Sequence, residues 1–356
     1  MFLNLYNFNT NTMNIKKKIG ILTSGGDCPG LNAAIRGVAK TAMLKYNMDV
    51  IGISSGFRGL IEKEYMPLDE SSLSGILTLG GTILGTSREK PFKKTSKFFT
   101  KEPDKPKIII DSYNELGLDC LVCIGGNGTM KTANLLSEEG LNVIGLPKTI
   151  DNDVWGTDLT FGFDSAVSIC TDAIDRLHTT GNSHKRIMVI EVMGHHTGWI
   201  ALHSGIAGGG DIILVPEIGY NENIIAKYIK DRYSKGKTYS IVVVAEGIEK
   251  PEKMTAGRYI AQIIEDRTGI ETRETVLGYI QRGGTPSSMD RVLASSYGGY
   301  AADLIAHGDF GKMVAMKDNR ITSVPLSDIA GKLKLITPDH YLIERARNLG
   351  VCFGDK

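Results

Sequence analysis

The sequence predicts an α/β fold in which mostly parallel sheets are sandwiched by helices, in a chain long enough for one large unit or two fused lobes. Three observations carry this expectation. Short β-branched runs alternate with longer helical ones, the order of successive βαβ units. The runs are apolar on both faces instead of alternating with polar residues, as strands covered by helices on each side are. Glycine-rich or acidic turns follow several of them, and in open parallel sheets ligands sit beyond the carboxyl ends of the strands. With 356 residues, 42% hydrophobic and 23% charged, the chain has the composition of a globular protein with a substantial core.

Taken in order, strands are expected at 19–23 (IGILT), 50–54 (VIGIS), 107–110 (KIII), 121–124 (LVCI), 143–146 (VIGL), 187–192 (IMVIEV), 212–215 (IILV) and 241–245 (IVVVA). The first enters a glycine turn, TSGGDCPGLNAAIR over 23–36, that opens a helix. Its glycines let backbone amides approach an anion, and the helix N-terminus adds favourable partial charge. No Gly-Lys-Ser/Thr follows, so this is not a Walker A loop. A plain strand-to-helix connection explains one such turn equally well. The fourth run enters a second turn, GGNGT over 125–129, and two strand ends of this kind can converge on one phosphate ligand. A third segment, LGGTILGTSR over 79–88, ends in Arg88, whose planar, permanent charge suits phosphate oxygens, although a solvated loop charge is the plainer reading.

The fifth run enters GLPKTIDND over 145–153, a loop with a lysine and two carboxylates. Paired acids can divide the work of phosphoryl transfer, one accepting a proton from the attacking hydroxyl while the other orients it or holds Mg²⁺. An Asx-rich turn capping the next helix is the alternative. Residues 154–163 are the expected crossing between two lobes. No low-complexity segment or fixed-period repeat is evident.

Other features exclude function classes. Basic and acidic residues number 41 and 40, so no overall field favours nucleic acid or a membrane surface, and any phosphate site must be local. The longest apolar stretches, 211–216 and 241–245, fall far short of the roughly 20 residues that span a bilayer. The first fourteen residues are polar and Asn-rich, without the features of a signal or transit peptide. They are expected to form a disordered extension, with Met13 as an alternative start. Five cysteines are an odd number for a disulfide framework. Cys120 and Cys123 form a C-x-x-C, but in a strand residues three apart face opposite sides and cannot share a bond or a metal. Reduced, packed thiols and a cytoplasmic location are expected.

In order and spacing, LTSGGDCPGLNAAIRG, GGTILGTSR, PKTIDND, FGFDSA, EVMGHHTGW, VVAEG, ETRETVLGYIQRGGTP and MDRVLAS resemble the phosphofructokinase family from Lys16 to the region of Met316. GTSREKPF, PKTIDND and AIDRLHTT resemble the branch whose members use either ATP or pyrophosphate. The resemblance implies two Rossmann-like lobes: a donor lobe over 15–161 and 282–328, and a sugar lobe over 162–281 and 329–356. It implies transfer of a phosphoryl group to the 1-hydroxyl of fructose 6-phosphate, with Asp151 as general base. Thr149 would bind the sugar and the transferring phosphate, Asp153 would orient the base or the metal, and Arg88 would act on the phosphates.

By the same resemblance Ile150, Met193, Gly194, His195, Glu246, Tyr279 and Gln281 shape the sugar site, and Arg186, Arg273 and Arg282 hold the sugar phosphate. Three guanidinium groups suit a phosphate dianion. Arg186 and Arg273 would come from a neighbouring subunit of a homodimer or homotetramer, leaving the monomer inactive. Gly26, Gly126, Asn127, Gly128 and Thr129 would hold the donor, and Asn127 and Asp153 the Mg²⁺. Arg36, Lys40 and the 235–237 stretch match effector-binding segments of allosteric members, with surface solvation an equal reading and the effectors left open.

Two positions bear on the donor. In that family a Gly at the position of Gly128 leaves room for the α-phosphate of ATP, where Asp fills and repels it, whereas Lys148 matches the residue carried by the pyrophosphate users. Lysine adds a charge that ATP tolerates, so ATP is favoured. Asn127 stands where Asp is usual, which predicts a weaker dependence of Mg²⁺ on this residue. His195 stands for Arg, giving donor binding a dependence on pH, and Tyr279 stands for His. His195 and His196 suggest hydrogen bonding more than a metal site. The alternatives are a pyrophosphate-dependent enzyme, a NAD or lipid kinase sharing a similar glycine turn, and a catalytically silent sugar-phosphate sensor. PKTIDND with GYIQRGGTP argues against the second, and the presence of both acids argues against the third.

Overall fold

The computed structural model describes residues 16–93 and 104–356, so the extension expected over residues 1–14 lies outside the described residues. The first part of the chain runs β1 (Lys18–Thr23), α1 (Leu31–Tyr46), β2 (Asp49–Ile53), α2 (Phe57–Glu62), β3 (Tyr65–Pro67), α3 (Lys105–Glu115), β4 (Cys120–Gly125), α4 (Asn127–Glu138) and β5 (Val143–Pro147). Then α5 (Phe163–His184) leads to β6 (Ile187–Val192), α6 (Trp199–Ala207), β7 (Ile212–Leu214), α7 (Glu222–Ser234), β8 (Ser240–Ala245), α8 (Ala256–Thr268) and β9 (Thr272–Val276). The chain returns through α9 (Ser288–His307), β10 (Lys312–Lys317), β11 (Arg320–Pro325), α10 (Leu326–Ile329) and α11 (Tyr341–Asn348).

These strands form two sheets. One has the order β11-β10-β5-β4-β1-β2-β3, parallel except at its two edges, where β3 and β11 run antiparallel. The other has the order β7-β8-β6-β9 and is wholly parallel. β4, β6 and β8 are buried at every residue, which explains their unbroken apolar runs. Along β4, Cys120, Val122 and Ile124 enter one core cluster while Leu121 and Cys123 enter another, so the two cysteines do face opposite sides of the sheet. All five cysteines are buried and free.

One expected strand is a helix. Residues 107–110 lie inside α3, which is capped by Asp104, whose side chain accepts a hydrogen bond from the Lys107 amide at 3.1 Å, with Pro106 in the first turn. That start signal outweighs the β-branched Ile run. The strands β3, β9, β10 and β11 have no counterpart in the sequence-based expectations.

Candidate active site

The register brings three strand ends level. Thr23 pairs with Ile124, and Gly125 with Pro147. Ser24 N donates to Ile124 O at 2.9 Å and Lys148 N to Gly125 O at 2.9 Å, so the two glycine turns and the acid loop emerge side by side. The 79–88 segment joins them: Gly25 N donates to Ser87 O at 2.9 Å, and Thr86 Oγ1 to Gly25 O at 2.7 Å. Arg88 follows immediately and is exposed.

α4 starts at Asn127 with Gly126 as its cap, so its first amides open toward the acid loop. A Cβ on Gly128 would meet nothing within 4 Å, leaving open space there. Gly26 is different, because a Cβ would come within 2.8 Å of Arg282 Nη1, and glycine is what lets that guanidinium lie against the turn. Arg282 Nη1 donates to Asp27 O at 3.1 Å, while its Nε is buried without a partner. Thr129 is buried, and its hydroxyl faces Ser24 O at 3.5 Å.

Lys148 is buried and its Nζ donates to Gly26 O, tying the acid loop to the first turn. Burial pushes its ammonium pKa down, and the charge of Arg282 adds to this. Asp151 N donates to Thr149 Oγ1 at 3.1 Å, and that hydroxyl reaches Asp151 Oδ2 at 3.3 Å. Asp151 Oδ1 is buried with no partner. Burial, then the neighbouring charge of Asp153, pushes the Asp151 carboxyl up to about 6. A carboxylate with one unpartnered oxygen and a raised pKa can take a proton. Asp153 Oδ2 accepts from Asn127 Nδ2 at 2.8 Å, and burial raises its pKa against the lowering effect of its hydrogen bonds.

The carboxyl end of the second sheet faces this loop. Thr197 Oγ1 donates to Asp151 O at 3.2 Å, Met193 N to Gln281 Oε1 at 3.1 Å, and His195 N to Glu246 Oε1 at 2.9 Å. These bonds gather Met193, Gly194, His195, Glu246 and Gln281 beside Asp151. Tyr279 is 76% exposed on the adjoining turn. Ile150, expected at the sugar site, is wholly buried and offers no surface to a ligand within this chain. His195 and His196 stack at 3.8 Å, and no group of three metal-ligating side chains occurs among the described residues.

Arg186 and Arg273 stand apart from these residues. Both pair with Glu271, Arg186 Nε at 2.6 Å from Oε2. Arg186 precedes β6 and Met193 follows it, seven residue steps apart, about 23 Å of extended chain. One chain therefore does not bring these arginines to Asp151.

The donor set suits Mg²⁺. Asp153, half-buried and with its Oδ2 held by Asn127, offers one carboxylate to a cation that takes one or two protein carboxylates and completes its shell with phosphates and water. Sequence reasoning passed over Lys334, whose Nζ donates to Asn152 Oδ1 at 2.9 Å and whose burial pushes its pKa down to about 8. No local motif marks it.

Two glycine turns and an acid loop at level parallel strand ends form an α/β crevice, between sheet and helix N-termini, of the kind that suits phosphate groups. Residues 18–305 match the family Phosphofructokinase, and the chain belongs to that family. It is 62% identical over 337 residues to ATP-dependent 6-phosphofructokinase 3 of Bacteroides thetaiotaomicron, covering 95% of this chain and 100% of that one. It is 57% identical to an ATP-dependent 6-phosphofructokinase of Spirochaeta thermophila, covering 95% and 98%. Among solved structures, phosphofructokinase from Saccharomyces cerevisiae matches with a TM-score of 0.80 and 31% identity, over 88% of this chain and 45% of the longer yeast chain.

Proposed function

We propose that this protein is an ATP-dependent 6-phosphofructokinase, transferring the γ-phosphoryl group of ATP to the 1-hydroxyl of D-fructose 6-phosphate to give fructose 1,6-bisphosphate and ADP. The observation that carries the reading is Asp151: a buried carboxyl with one free oxygen, beside the Thr149 hydroxyl, between the glycine turns and the second sheet. Asp151 Oδ1 takes the hydroxyl proton as the sugar oxygen bonds to phosphorus and the bond to ADP breaks. Thr149 orients the acceptor. The α4 amides, Gly126, Thr129 and Arg88 bind the donor phosphates. Asp153, steadied by Asn127, holds Mg²⁺, which neutralises charge on those phosphates when bound.

Residues 15–161 and 282–328 form the donor lobe, and 162–281 and 329–356 the sugar lobe. Arg186 and Arg273, remote from Asp151 within one chain, serve the sugar phosphate of a neighbouring subunit in a dimer or tetramer. A fully active monomer in sedimentation-coupled assays would refute that assembly. Free, buried cysteines suit the cytoplasm, and among the described residues no helix is long and apolar enough to cross a membrane.

Pyrophosphate is the second reading, favoured by Lys148, whose ammonium lies against Gly26 where a departing phosphate would carry charge. The open space at Gly128 favours ATP. Formation of fructose 1,6-bisphosphate with each donor and Mg²⁺ decides between them. Turnover with ATP alone is expected, and turnover with pyrophosphate alone would overturn the donor assignment.

A further inference from the structure

The C-terminal segment meets both sides of the site at Lys334. Its Nζ donates to Asn152 Oδ1 at 2.9 Å, Thr157 O at 3.0 Å and Asp158 O at 2.8 Å, using every proton of the ammonium group. Its amide donates to Asp153 O at 2.8 Å, and its carbonyl accepts from Trp199 Nε1 at 2.9 Å. Two residues on, Ile336 N donates to Glu217 Oε1 at 3.2 Å, and the same carboxylate accepts from Gly198 N. One short stretch thus ties the acid loop to the start of α6, directly after the Gly194–Thr197 turn that borders the sugar side.

Asn152 is the residue through which this tie reaches the chemistry. It stands between Asp151 and Asp153 in the left-handed region, with φ 50°, where an Asn side chain is tolerated and most others are strained. Its Oδ1 accepts from Lys334 Nζ and from Thr160 N at 3.1 Å. A rotation at this residue swings the carboxyls on either side, and an error of about 1 Å in a reacting group costs on the order of a hundredfold in rate.

We propose that Lys334 is a positioning residue for phosphoryl transfer: its three side-chain hydrogen bonds hold the Asn152 turn, and with it the carboxyls of Asp151 and Asp153, at a fixed distance from the sugar side of the site. This rests on the roles proposed above for the two acids. Lys334 itself makes none of the sugar or donor contacts assigned above, so binding is affected less than turnover when it is lost.

Lys334→Met keeps the aliphatic stem and both backbone bonds while removing the Nζ donors. The expected result is a fall in kcat of at least tenfold, with KM for fructose 6-phosphate and for ATP within threefold of the parent. Lys334→Gln, which retains an amide donor, should recover part of the loss, and it serves as the test variant if Lys334→Met does not fold. In an Asn152→Gly background, Lys334→Met should cost less than it does alone, because the side chain through which it holds the turn is already gone. A merely structural strap would lower the melting temperature and leave the kcat of the folded protein within twofold. That result, or fully additive losses with Asn152→Gly, overturns the proposal. Inactivity of the parent protein with both ATP and pyrophosphate would refute the functional reading itself, whereas an active parent with an equally active Lys334→Met refutes this inference alone.

Discussion

Replacing Gly128 with Asp should separate folding from donor use. Gly128 is the second residue of α4, and a Cβ there meets no atom within 4 Å, so the side chain enters open space. An acid in the first turn of a helix is favoured by about 0.3–1 kcal/mol, and Asp is a slightly better helix former than glycine. The variant should therefore fold at least as well as the parent. The new carboxylate would stand beside the position assigned to the α-phosphate of ATP. Two unit charges about 5 Å apart at an effective dielectric of about 20 repel by about 3 kcal/mol, roughly two orders of magnitude in kcat/KM. Pyrophosphate places no group there and should lose little. Steady-state kinetics with each donor at saturating fructose 6-phosphate, beside melting temperatures, measures both effects. A folded Gly128→Asp variant whose kcat/KM for ATP stays within threefold of the parent would refute the assignment of this space to the nucleotide.

Three further outcomes follow from the same geometry. Burial and the charge of Asp153 raise the Asp151 carboxyl to about 6, and a base works only when deprotonated; kcat/KM should therefore climb with pH through about 6 and level off above it, and a flat profile from pH 5 to pH 8 would contradict this. Asn127→Asp replaces the 2.8 Å bond to Asp153 with two facing carboxylates, so the Mg²⁺ concentration for half-activity should fall several-fold and added Mg²⁺ should raise the melting temperature more than in the parent. An unchanged response to Mg²⁺ would remove Asn127 from the metal's surroundings. Gly37→Ala would drive a Cβ to within 2.6 Å of Ser295 O where α1 packs on α9; it should cost about 1–3 kcal/mol in thermal or urea unfolding while sparing kcat at 25 °C, and an unaltered unfolding midpoint would show that the helices separate freely.

The strands that position the site were legible because they are buried on both faces: β1, β4, β5, β6 and β8 announce themselves as apolar runs closed by glycine or acidic turns. The edges were not. β9 carries Arg273 and Glu274 toward solvent, β3 is three exposed residues, and β11 is mostly half-exposed, so none shows a buried-strand pattern. The misread α3 has a β-branched interior, and its Asp104-Lys105-Pro106 start is the signal that discloses a helix. Within the site, side chains on contiguous loops, such as Thr149 with Asp151, were legible from spacing. The separation of Arg186 and Arg273 from Asp151 depends on Arg186 preceding β6 and on Arg273 of β9 pairing with Met188 near the start of that strand, and Lys334 meets Asn152 only after the chain has crossed both sheets and returned. Neither leaves a local pattern.

Asp151→Asn tests the central claim most directly, because it keeps the shape of the side chain and removes its capacity to take a proton. Turnover with ATP should fall by roughly 10²–10⁴-fold, while calorimetric binding of fructose 6-phosphate stays within threefold of the parent. Turnover within tenfold of the parent, with the sugar bound normally, would show that another group takes the proton and that Asp151 is not the base.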